Sequence, residues 1–170
     1  PVHKVDVFPP RPCYGNPRAV VLEAEGLPTE PMQRFARWTN LSETTFVLPP
    51  AEGGDYRVRI FTPTTELPFA GHPTLGTCHA WLAATVTDSP PETVVQECAA
   101  GLVRVRRGNG RLAFAAPPLL RSGPVDPAHA GELAAAVGVP GDAVLAAEWV
   151  DNGPGWAALL LRTKPLSTRP

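Results

Sequence analysis

The sequence predicts an α+β fold: a mostly antiparallel, barrel-like sheet closed over a helix. Three observations carry this. Short apolar stretches recur along the 170 residues, and many alternate with period two, as half-buried strands do. Two or three longer stretches repeat their apolar residues at helical spacing instead. The 22 prolines sit in short pieces, Phe8-Pro9-Pro10, Pro49-Pro50, Pro90-Pro91 and Pro117-Pro118, which suit turns between strands better than a disordered linker.

Taken in order, 2–8 alternates, with His3, Val5 and Val7 on one face, and stops at Pro9: a strand. Residues 9–17 are a turn-rich connection, and 19–22 a second short strand. Pro28 opens an amphipathic helix over 29–38, with Met32, Phe35 and Ala36 inward and Trp38 a further candidate. Residues 44–48 and 56–61 read as strands, the second with Val58 and Ile60 opposite Arg57 and Arg59. A helix follows over 73–84, with Leu75, Cys78 and Leu82 in register. Residues 93–98, 102–107 and 112–115 are three further strands, the last two joined by the hairpin signal Gly108-Asn109-Gly110. Residues 127–137 form a helix ended by Gly138, and 144–150 with 156–161 another strand pair. The Gly15–Leu22 stretch is echoed by Gly153–Leu160, each a Gly/Pro turn running into an apolar strand, a weak hint of internal duplication.

Fifteen Lys and Arg against 16 Asp and Glu leave a net charge of −1, so no basic field invites nucleic acid or an anionic membrane. Hydrophobic residues at 44% suffice for a core. No apolar run approaches the roughly 20 residues needed to span a bilayer, and no signal-peptide pattern opens the sequence. The cysteines, Cys13, Cys78 and Cys98, are three and scattered, which makes neither a disulfide framework nor a zinc site; a reducing, cytoplasmic setting is expected.

Three segments could carry chemistry. In the first, a strand runs through a turn into Gly71-His72-Pro73 at the start of a helix. Glycine permits close approach, and the free amides and helix dipole favour an anion, to which His72 could donate. A capped helix with His72 packed on its turn is the plainer alternative. In the second, Glu43 lies between a helix end and the apolar strand 44–48. Partial burial there would raise its pKa and prepare it for proton transfer. A surface glutamate, or one accepting backbone hydrogen bonds at a turn, would look the same. In the third, Gly15-Asn16-Pro17 is a tight turn whose Asn16 could reach a ligand or only satisfy backbone.

Together, Tyr14–Val20, Asn40–Val47 and Arg59–Thr77 resemble the PhzF-like family of phenazine biosynthesis, relatives of diaminopimelate epimerase. The resemblance covers 2 to about 116 well and continues more loosely to about 163. It implies two similar lobes, each a barrel-like, mostly antiparallel sheet around a central helix, with the active site between them. Residues 1–120 would be the first lobe, with the helix from Pro73 at its centre, and 121–170 the opening of an incomplete second lobe. The family's acid/base glutamate maps to Glu43. Gly71 and His72 map to the turn that binds the substrate carboxylate, and Asn16 to the cleft-side Gly-Asn-Pro element. Racemase relatives carry a cysteine just before that glycine; here it is Ala70, and neither Cys13 nor Cys78 replaces it. The family's second-lobe acidic and Gly-Ser-Ala segment does not occur before Pro170, which leaves three alternatives: the chain is a fragment, the remainder lies on another chain, or it is a natural remnant.

The expected function is thus a PhzF-like isomerase that shifts a proton on a small carboxylic acid without a cofactor, acting as a homodimer or with a partner that completes the cleft. A non-catalytic lobe that binds a small acid or docks to a partner is the alternative. No metal is expected: His72 and His79 lie two helical turns apart, so with Cys78 they do not surround one ion.

Overall fold

The computed structural model describes residues 1–85 and 88–162. Its contacts divide the chain into two units, Pro1–Pro117 and Pro118–Pro170.

In the first unit, β1 (Val2–Val7) and β2 (Asn16–Val21) form an antiparallel hairpin with Val7 opposite Asn16. The helix α1 (Thr29–Thr39) then crosses over to β3 (Thr44–Leu48), which runs parallel to β2. Next comes β4 (Tyr56–Phe61), antiparallel to β3 and carrying the two-residue β5 (Glu66–Leu67). After α2 (Gly71–Thr85), β6 (Thr93–Cys98) pairs parallel with β4, and β7 (Gly101–Gly108) and β8 (Arg111–Phe114) complete the sheet. The order is β1-β2-β3-β4-β6-β7-β8, with β5 off that path. The β7–β8 turn is tight, with Asn109 and Gly110 both at positive φ, 51° and 72°, as the sequence signal required.

This sheet curls around α2, which packs against both end strands, β1 and β8, as well as β2, β3 and β6. The residues from Pro73 to Cys78 are all buried, so the helix is enclosed rather than laid on a surface. Leu75 and Cys78 join Val20, Val47, Tyr56, Val58, Ile60, Val94 and Val105 in one core, with Leu82 half-buried at its edge. Each such aliphatic side chain contributes about 1.5–3 kcal/mol by leaving water. The polar groups that α2 takes inside are paired. Thr77 shares a 2.8 Å hydrogen bond with Thr45, and Thr74 accepts from Gln96, whose side-chain oxygen accepts from Tyr56. A second cluster of Ala24, Met32, Ala36, Phe46, Leu48 and Phe61 packs α1 on the other face of β3 and β4. With helices on both faces, every residue of β3 is buried. The curl leaves a groove of about 690 Å³ between β1 and the β7–β8 turn, floored by Leu75, Gly76 and His79.

In the second unit, β9 (Arg121–Pro124), β10 (Val144–Asp151) and β11 (Ala157–Leu161) form an antiparallel sheet of order β11-β10-β9. A helix, α3 (Pro127–Ala136), starts at Asp126, whose carboxylate accepts from the amides of Ala128 and His129. At the β10–β11 turn the Asp151 carboxylate accepts from Gly153 and Gly155. Trp149 lies between Arg121, 3.5 Å from its ring centre, and the stacked ring of His129.

Several details depart from expectation. Asn16 opens a strand instead of standing in a turn, because β2 begins as soon as the loop closes. α2 starts at Gly71, two residues before Pro73. Trp38 is 78% exposed, outside the stripe of Met32 and Ala36. β5 is too short to show a period, and β9 is polar with a proline that only an edge strand tolerates. Among the described residues, no helix is long and apolar enough to cross a membrane.

Candidate active site

Three element ends converge on one place in the first unit. The first is the end of the β1–β2 loop. Gly15 there lies so close to Asp6 and the Val7 carbonyl that a Cβ would collide with both, so only glycine fits. Asp6 also accepts from the Cys13 amide, fixing the loop that delivers Asn16 to the first residue of β2. The second is the α1–β3 link. Asn40 ends α1 in the left-handed conformation at φ 52°, its amide bonded to Ala36. Thr39 donates to the same carbonyl and is 3.0 Å from Thr44 across the turn. Only Leu41, Ser42 and Glu43 remain between Asn40 and β3, so Glu43 stands immediately before the strand. The third is the N-terminus of α2, where Phe114 of β8 lies over Gly71; a Cβ there would be 2.8 Å from its ring. Phe69 packs edge-on against Phe114.

The side chains meet in a chain of contacts. Ser42 donates to Asn16 Oδ1 at 3.0 Å, and Asn16 Nδ2 is 2.9 Å from His72 Nε2. His72 Nε2 is 3.0 Å from Glu43 Oε2, and Arg18 Nη2 donates to the same oxygen at 3.3 Å. The Glu43 side chain is 13% exposed and His72 22%, so both are reachable but mostly withdrawn from water. Nε2 cannot serve both neighbours at once. Unprotonated, it accepts from Asn16; protonated, it donates to Glu43.

Glu43 titrates in the direction opposite to that expected from burial. Burial does push its pKa up, but hydrogen bonding from His72 and Ser42 and the charges of His72 and Arg18 outweigh it. The carboxyl is held below its ordinary value. At neutral pH it rests as a carboxylate, a base.

Glu43, Asn16, His72 and Gly71 are therefore all in this place. Reading the sequence singled out those four and missed Arg18, Ser42 as a contact, and Phe114. Arg18 carried a signal: a charge one residue before the apolar run Ala19–Leu22. Phe114 carried none, since its approach to Gly71 depends on the curl of the sheet. Neither of the other cysteines considered stands in for Ala70. Cys78 is sealed in the core, and burial pushes its thiol up to about 11, while Cys13 is on the exposed loop.

The family model of the phenazine biosynthesis-like proteins, PhzC-PhzF, matches residues 5–161. The chain belongs to that family. Among curated relatives, it is 56% identical over 84 residues to the trans-2,3-dihydro-3-hydroxyanthranilate isomerase of Pseudomonas aeruginosa, covering 49% of this chain and 30% of that protein. It is 48% identical over 103 residues to antisense-enhancing sequence 1 of Schizosaccharomyces pombe, covering 60% of this chain and 35% of that protein. Among solved structures, the PhzF-family phenazine biosynthesis protein of Bacillus anthracis superposes with a TM-score of 0.68 at 28% identity, covering 95% of this chain and 55% of that one. The chain thus spans about a third of these curated relatives and about half of the solved structure.

Proposed function

We propose that this chain supplies the acid/base lobe of a PhzF-type isomerase acting on a small, unsaturated carboxylic acid. The observation that carries the reading is the 3.0 Å contact of Glu43 with His72 at the first turn of α2. It puts a carboxylate held in its basic form beside a helix N-terminus, where free amides favour the substrate's carboxylate. Glu43 takes a proton from a substrate carbon, the electron pair moves into the adjacent π system, and the protonated Glu43 returns the proton at another carbon. Bonds and charges balance with no further reactant. His72 and the α2 amides stabilise the charge that builds up meanwhile. The Pseudomonas relative is named an isomerase of trans-2,3-dihydro-3-hydroxyanthranilate, a small unsaturated carboxylic acid, which supports the reading.

The test is isotope exchange by the intact protein in D₂O, with trans-2,3-dihydro-3-hydroxyanthranilate as first probe. Deuterium is expected in the product. Glu43→Gln keeps the shape and removes the proton carrier, so exchange should fall by about 10²–10⁴-fold while binding survives. Exchange by Glu43→Gln at the rate of the unmodified protein would overturn the assignment.

A further inference from the structure

Among the described residues, Arg18 is the largest fully buried side chain, at 0% exposure, and it sits on a strand beside Ala19 and Val20. Its stem crosses α2 where Gly76 leaves room: a Cβ on Gly76 would be 2.5 Å from Arg18 Cδ and 3.2 Å from Nε. Glu43 is its ion partner, and Nε and Nη1 find no hydrogen-bond partner among the described residues. A guanidinium buried with one contact is a poor stabilising device. Desolvation of a charge costs several kcal/mol, and apolar side chains of similar volume commonly do as well or better. Its place there therefore asks for another role.

The contacts on Glu43 suggest which. Arg18 Nη2 and His72 Nε2 both reach Oε2, at 3.3 and 3.0 Å. We propose that Arg18 is a positioning residue for Glu43: from the buried side it anchors Oε2 and so fixes the carboxylate for proton transfer. The assignment rests on Glu43 being the acid/base. The charged or titratable groups facing Glu43 are Arg18 from β2 and His72 from α2; Ser42 beside it is neutral. His72 is a cation only when protonated, whereas Arg18, although burial lowers it to about 10 against the opposing pull of Glu43, stays charged at neutral pH. When His72 is neutral, Arg18 remains the cation that holds the carboxylate in place.

The experiment needs no substrate. Side-chain carboxyl carbons of ¹³C-glutamate-labelled chain are titrated by NMR, with Glu43→Gln identifying the Glu43 resonance. Arg18→Met should move the Glu43 midpoint to higher pH, and Arg18→Lys should restore much of the original position. Amide spectra of each variant report the fold; a merely structural role for Arg18 would disturb them without a selective shift at Glu43. A Glu43 midpoint unmoved in folded Arg18→Met, or moved equally in Arg18→Lys, overturns the proposal. If Arg18→Met does not fold, Arg18→Gln takes its place under the same criteria. Exchange activity of Glu43→Gln judges the acid/base reading separately, so one can fail while the other stands.

Discussion

Gly76 and Arg18 show how one residue's absence of a side chain gives another its place. Alanine is the better helix former by about 1 kcal/mol, so a free helix would favour Gly76→Ala. Here the new methyl would meet Arg18 Cδ at 2.5 Å and Val7 Cγ2 at 3.0 Å. Arg18 is enclosed and cannot swing out to solvent, and overpacking of this kind costs about 1–3 kcal/mol. The clash wins: Gly76→Ala should lower stability by about 1–2 kcal/mol in denaturant unfolding. Adding Arg18→Ala should recover part of the loss, since the two residues share one space. A Gly76→Ala protein at least as stable as the original would show that the stem does not lie there. His72 makes a second test at this scale. His72→Ala removes a donor that acts before and during proton transfer, so substrate binding should weaken together with turnover, unlike Glu43→Gln. Equal binding by the two variants, read by calorimetry, would refute that division of roles.

Among the elements, the β3–β4 loop is tied down from a distance. Glu97 of β6 accepts from the amides of Ala51, Glu52 and Gly54 at 2.7, 2.6 and 2.8 Å. Burial pushes its carboxyl up, but these backbone donors outweigh burial and hold it below its ordinary value. The folded-state pKa is depressed, so this stabilisation is full above the unfolded value and is lost as pH falls through the folded one. Glu97→Gln puts an NH₂ against a backbone donor. The variant should melt below the parent at pH 7, and the gap should narrow in acid; a gap unchanged by pH would contradict the ion's role. The elements themselves were largely legible in the sequence, for a stated reason. The periods of two and 3.6 report a face turned to a core, as residues 56–61 do, and Asn109-Gly110 is legible as a turn signal. What was not legible lacks a period. Glu66–Leu67 is two residues long, Glu97 reads as one charge in a strand, and the direction of Glu43's titration depends on Arg18 and His72 arriving from β2 and α2. The motif residues of the site could be read because each sits at an element end marked by glycine, proline or asparagine.

At the scale of the whole molecule, the two units differ in what they enclose. The first wraps its sheet around α2 and closes a core on both faces of β3. The second has a three-stranded sheet, and α3 buries only Ala134 among its own residues. Leu145, Trp156 and Leu160 are 53%, 60% and 61% exposed, and β11 forms one edge of its sheet with Leu160 and Leu161 on it. Exposed apolar side chains on a small sheet whose β11 edge has no partner strand among the described residues recruit another surface, because covering them releases water and pairing the edge satisfies its backbone. The chain is therefore expected to self-associate at micromolar concentration in sedimentation velocity, or to bind an apolar dye when kept dilute. Leu160→Lys with Trp156→Ser should reduce both effects. The same pair should leave the Glu43 titration unchanged, since neither residue belongs to the unit that carries it. A monodisperse 18.1 kDa species that binds no dye would show that the second unit needs no cover.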